Sequence, residues 1–245
     1  MIQNILFQVV IFLTNIIQCI TGFAGTVLAM PFSVMLVGYE VSKAVLNILG
    51  MLASVYIVVT AFKSINRKEF LKTGGVMIAG MIAGFAVKKY VLDRFDPGVL
   101  YKILGVLVIG FAIFSAVKFY MKKEDRELPP YIAYPLLVAA GVAHGIFVCG
   151  GPLLVVYANG KLKDTDEFRA TLSAVWVLLN GVNFALDIYS GYFTASTVKI
   201  TAISIVSLAL ALIIGNLIYK KLSRRVFLQL TYLLMFISGV SLLIK

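Results

Sequence analysis

The sequence predicts an all-α polytopic membrane protein of two inverted repeats. Each repeat is a broken or re-entrant helical hairpin followed by three transmembrane helices, about eight hydrophobic segments in all. Three observations carry this. The chain of 245 residues is 61% hydrophobic and only 13% charged, against roughly 25% charged residues in a soluble domain. Its apolar residues fall into stretches of spanning length separated by short basic turns. Two of those stretches are interrupted by glycine and proline at corresponding places, which is how discontinuous helices around a transporter site read in sequence.

The elements follow in order. The first stretch runs from Met1 to Gly38 and breaks at Thr21-Gly22-Phe23-Ala24-Gly25, with Pro31 beyond. Uninterrupted spans are predicted over Ala44–Phe62, Thr73–Val87 and Gly98–Val117. The long polar connection from Lys118 to Pro130, with its charged run Lys122 to Glu127, divides the chain. It separates a first repeat (1–120) from a second (131–245) through a linker (121–130). The second broken stretch runs from Tyr131 to Ala158 and breaks from Gly141-Val142-Ala143-His144-Gly145 through Cys149-Gly150-Gly151-Pro152. Spans over Thr171–Tyr189, Thr197–Tyr219 and Val226–Ile244 complete it. In each half a basic residue followed by alanine, Lys43-Ala44 or Arg169-Ala170, opens the helix after the break.

Charge decides the topology. If each broken segment crosses once, Lys and Arg divide almost evenly between the faces, and the positive-inside rule is silent. If each dips in and returns as a hairpin, 15 of the 22 basic residues collect on one face, Lys63, Arg67, Lys118, Lys161 and Arg225 among them. The hairpin arrangement is therefore expected, with the second half inverted relative to the first.

Several classes of function are excluded. The net charge of +11 comes from basic residues between apolar segments without interleaved aromatics, unlike a nucleic-acid surface. Cys19 and Cys149 have neither disulfide nor metal spacing. No nucleotide-binding, hydrolytic, haem or metal motif appears, so the chain reads as neither an enzyme nor a cofactor protein. The start, Met1-Ile2-Gln3-Asn4, lacks the basic region of a cleavable signal peptide.

Non-helical backbone at membrane depth survives only inside protein or along a wet cavity. The two tips are therefore expected to meet near the midplane, with half-helix N-termini favouring an anion. Candidate binding residues are Gln18, Thr21, Gly22, Phe23 and Gly25 in the first break, and His144, Gly145, Cys149, Gly150 and Gly151 in the second. The glycines serve either ligand approach or close packing, and duplication of the break favours the former. His144 is either a proton carrier or a satisfied structural group. Asn180 and Asn183, on one face with Asp187, are interhelical glue or substrate donors. Arg169 offers a guanidinium fork to an oxyanion. Lys43 reads as a membrane-boundary residue, Asp187 as a solvated one near the outer end, and Gly80 with Gly84 as helix packing.

The residues Thr21-Gly22-Phe23-Ala24-Gly25 with Met30-Pro31, His144-Gly145-Ile146-Phe147 with Gly150-Gly151-Pro152-Leu153-Leu154, and Arg169-Ala170-Thr171-Leu172-Ser173 are similar to motifs of the sulfite exporter TauE/SafE family (TSUP). The chain resembles that family along its whole length. It departs from the usual glycine triplet at Thr26-Val27-Leu28, and carries Val148-Cys149 where Gly-Ile is commoner. The resemblance implies a secondary transporter exporting sulfite or a small organosulfonate across the cytoplasmic membrane, coupled to protons. Its partners would be the small anion, the lipid bilayer and protons, with a homodimer one option for assembly. Two rivals stand beside it. A cation or metabolite carrier needs core carboxylates, of which only Asp187 comes near; a membrane redox protein needs reactive Cys19 and Cys149.

Overall fold

The computed structural model describes residues 2–90 and 127–244, together with scattered helical positions between 98 and 121. It is all-helical, with no strand among the described residues. The helices are α1 (Ile2–Thr21), α2 (Ala24–Val37), α3 (Tyr39–Thr60), α4 (Arg67–Tyr90), α5 (Pro130–Phe147), α6 (Gly151–Lys161), α7 (Thr165–Tyr189), α8 (Ala195–Tyr219) and α9 (Arg224–Leu243). The span predicted over 98–117 and the polar run 122–126 fall largely outside the described residues.

Six of these helices are long and apolar enough to cross a membrane: α1, α3, α4, α5, α7 and α8. Large apolar side chains on them face outward, such as Val59, Leu71, Val206 and Ile213, as a lipid-facing surface requires. At 14 and 11 residues, α2 and α6 are too short to cross and form the second arms of the two broken stretches. Both breaks are narrower than predicted, the first being confined to Gly22 and Phe23. Helix α5 runs unbroken through Gly141–Phe147, so only Val148, Cys149 and Gly150 are non-helical.

Local chemistry sets the helix ends. Asn66 Oδ1 accepts from Glu69 N at 3.0 Å at the start of α4, and Asp164 Oδ1 from Glu167 N at 2.9 Å at the start of α7. Thr194 and Ser223 cap α8 and α9 in the same way. Each supplies an acceptor to an N–H that the helix itself leaves without one. Pro129-Pro130 opens α5, where a missing N–H is harmless.

The chain forms two compact units that cut across its sequence halves. One comprises Met1–Phe70 and Arg169–Leu222, the other Leu71–Phe168 and Ser223–Lys245. In the first unit α1 packs along α2 and α8, and α3 packs on α1, α2 and α8. Gln8 clamps α1 to α8, donating to Ser204 Oγ and accepting from Ser207 Oγ, both at 2.9 Å. In the second unit α4 and α5 cross closely through glycines. A Cβ at Gly80 would lie 2.3 Å from the Val138 carbonyl oxygen, and one at Gly141 2.2 Å from that of Met77. This is the small-residue packing expected of Gly80 and Gly84.

Candidate functional site

The first break is a tight reversal. Gly22 adopts φ +81°, in the left-handed region where an L side chain is strained, and only Gly22 and Phe23 separate α1 from α2. Folding α2 back onto α1 brings Gly25 so close that a Cβ would sit 2.5 Å from Gln18 Cβ and 2.6 Å from the Thr14 carbonyl oxygen. The reversal also leaves the first N–H groups of α2 without helical partners. Thr21 Oγ1 accepts from Ala24 N at 3.2 Å and Phe23 N at 3.4 Å, while donating its own hydrogen to Ile17 O at 2.9 Å. Gln18 Oε1 accepts from Gly25 N at 2.9 Å. Thr21 Oγ1 and Gln18 Oε1 thus act as caps for the start of α2. The Gln18 Nε2 amide has no partner among the described residues.

Arg169, in the first turns of α7, is brought to this break. A Cβ at Gly22 would lie 3.3 Å from the Arg169 carbonyl oxygen and 3.4 Å from its Cγ. The guanidinium donates through Nε to Cys19 O at 2.6 Å and through Nη2 to Cys19 Sγ at 3.4 Å, and stacks 4.0 Å from the centre of the Tyr219 ring. Arg169 is only 3% exposed, yet no carboxylate among the described residues pairs with it. A buried ion without a counter-charge carries a penalty of several kcal/mol. Stacking on an aromatic ring returns about 2 kcal/mol of it when desolvated. The site therefore combines an unneutralised cation with the positive dipole end of α2.

The face predicted for Asn180, Asn183 and Asp187 exists, but its ends differ from expectation. Asp187 is fully buried and not solvated, and Lys43 is buried and not snorkelling: the two form an ion pair between α7 and α3. Neither charge tolerates burial alone, so pairing is the physical condition for both being there. The Lys43 ammonium also lies 5.6 Å from the Tyr192 ring centre. One turn further along α3, Asn47 Nδ2 donates to Asn180 O at 3.0 Å. A Cβ at Gly50 would meet Thr26 Oγ1 at 3.2 Å and Asn180 Nδ2 at 3.4 Å. The altered triplet residue Thr26 and Asn180 thus both border this glycine. Asn183 is buried on the same face.

The second break belongs to the other unit. His144 is 3% exposed and lies in the last helical turn of α5, short of the break in which the sequence placed it. Its carbonyl accepts from Val148 N at 2.8 Å. Val148 has φ +56°, strained for a β-branched residue and of the kind that collects at functional sites. Cys149 is buried and its Sγ donates to Phe147 O at 3.1 Å. The neighbouring glycines pack: a Cβ at Gly150 would be 2.3 Å from Ala140 O, and one at Gly145 2.8 Å from Met81 O. Gly151 and Pro152 open α6, as their types predict.

The profile of the family described as Sulfite exporter TauE/SafE matches residues 7–242. The chain belongs to the sulfite exporter TauE/SafE family. No curated protein and no solved structure matches it. A TauE/SafE protein is a multi-pass membrane protein of a transporter family, in line with the six apolar helices. The match spans both breaks, Arg169 and the α3–α7 face. Within this TauE/SafE chain, sequence reasoning named Lys43 and Asp187 without pairing them, and passed over Gly50 and Tyr219. The one signal available was that an acidic residue in an apolar helix needs a basic partner, and Lys43 stands at the corresponding end of α3.

Proposed function

We propose that this protein is a secondary transporter that exports a small sulfur oxyanion, sulfite or an organosulfonate, across the cell membrane by alternating access, drawing on the proton gradient. The observation that carries the reading is Arg169, buried at the first hairpin break without a carboxylate partner among the described residues. A bound oxyanion would supply the missing counter-charge, and a guanidinium fork suits two oxygens of one sulfonate or sulfite group. Gln18 Nε2, from the residue adjoining Cys19, is a further donor for it. His144, Gly145, Cys149, Gly150 and Gly151 remain candidates in the second hairpin, as do Asn180 and Asn183 on α7.

The sign of the site argues against the cation-carrier alternative. Asp187, fully buried in the first unit, is neutralised by Lys43. Reconstitution into liposomes tests the proposal: radiolabelled sulfite should enter or exchange saturably, and excess unlabelled sulfonate should compete. Protein-free flux levels for sulfite and for a panel of sulfonates would reject it.

A further inference from the structure

We infer that Lys43 and Asp187 form a proton-operated second station for the anion, joined to Arg169 by a polar seam between α3 and α7. The inference rests on the transport reading above and adds a site to it. Arg169, Ser173, Asn180, Asn183 and Asp187 lie on one face of α7, at successive separations of four, seven, three and four residues. On α3 the facing residues are Lys43, Asn47, Gly50 and Ser54, at similar spacing. Both sets are buried. At about 1.5 Å per residue the seam extends about 27 Å from Arg169 to Asp187.

Several polar atoms along the seam have no protein partner among the described residues: Asn47 Oδ1, Ser54 Oγ and Ser173 Oγ, each on a side chain 0% exposed. A buried polar group without a partner is expensive, and a row of them in an apolar helix pair marks a path for water or ions. Near its centre, Thr26 Oγ1 and Asn180 Nδ2 close on Gly50, 3.2 and 3.4 Å from where a Cβ would stand.

Asp187 then plays the part of the anion when the station is empty. Ionised, it holds Lys43. On taking a proton it loses its charge, and the ammonium is left for an oxyanion. Proton binding at Asp187 and anion binding at Lys43 therefore favour each other, and the linkage is reciprocal. The other ionisable groups around the pair leave this assignment to it. Neither α1 nor α2 carries a charged side chain. Glu40 on α3, Tyr189 on α7 and Lys199 on α8 are exposed; Tyr39, Tyr56 and Tyr192 are half-buried.

The test is thermal stabilisation of the purified protein by methanesulfonate, which stays ionised at roughly pH 6 and roughly pH 8 alike. The wild type should be stabilised more at the lower pH. Asp187→Asn should be stabilised strongly and equally at both, and Lys43→Gln/Asp187→Asn weakly and equally at both. The double variant keeps the interior charge-balanced and decides the matter if the single variant does not fold. A double variant that retains the wild-type response and its pH dependence would overturn the second station alone. A wild type stabilised by neither methanesulfonate nor sulfite at either pH would instead count against the transport reading.

Discussion

Arg169 Nε donates to the carbonyl oxygen of Cys19 at 2.6 Å, joining residues 150 positions apart. One belongs to the last turn of α1 and the other to the first turns of α7. The bond fixes a buried cation beside a helix reversal that only glycine can make. Everything proposed for the anion site depends on that placement.

The reversal itself is the first thing to perturb. Gly22→Ala puts a side chain into the left-handed region, at about 1–2 kcal/mol, and against the Arg169 carbonyl oxygen 3.3 Å away. The variant should melt several degrees lower in detergent and bind sulfite more weakly. Unchanged melting would show that the turn relaxes elsewhere.

Gly50→Ala separates stability from transport. Alanine gains about 0.8–1.0 kcal/mol of helix propensity over glycine, which offsets crowding by a Cβ 3.2 Å from Thr26 Oγ1. Melting should therefore change little while sulfite flux falls severalfold, as measured in liposomes. A variant with full flux would show that the Gly50 surface beside Asn180 is not on the path.

Cys19 and Cys149 are both free thiols whose Sγ atoms lie at backbone carbonyls, those of Leu212 and Phe147. Serine reproduces that donation. The double variant Cys19→Ser/Cys149→Ser should keep most of the wild-type sulfite flux. Loss of flux with a folded protein would reopen the redox alternative.

Outside the membrane-spanning segments, Lys161 donates to Glu127 and holds its carboxyl below the ordinary glutamate range. A depressed carboxyl stabilises the fold at neutral pH, and that contribution disappears as pH falls below the usual glutamate value of about 4.3. Both groups are solvent-accessible, so the effect is small. Glu127→Gln should match the wild type in acid and melt marginally lower at neutral pH, which an acid series of melting curves would show.

Helices were legible because their apolar runs have spanning length, and the first break because Gly22 interrupts one. The second break read too wide for a physical reason. Gly141 and Gly145 stay helical and serve the close crossing with α4, and a packing glycine looks like a turn glycine in one sequence. The site was legible only in part. Arg169 has the right chemistry on its own, but its lack of a carboxylate partner among the described residues is a fact of the tertiary fold. The Lys43–Asp187 pair spans 144 positions, beyond any local pattern. The capping roles of Gln18 and Thr21 were not legible, because a reversal between helices makes unmet N–H groups, and those claim the nearest side-chain oxygens first.

The central claim is that Arg169 supplies the counter-charge for a sulfur oxyanion. Equilibrium binding of radiolabelled sulfite to purified wild type and Arg169→Lys tests it most directly. Lysine keeps the charge but loses the planar fork and the stacking on Tyr219. The account predicts saturable binding to the wild type and an affinity at least about tenfold weaker in the variant, the equivalent of one charge-assisted hydrogen bond. Equal binding by the two proteins, or none by the wild type, would contradict it.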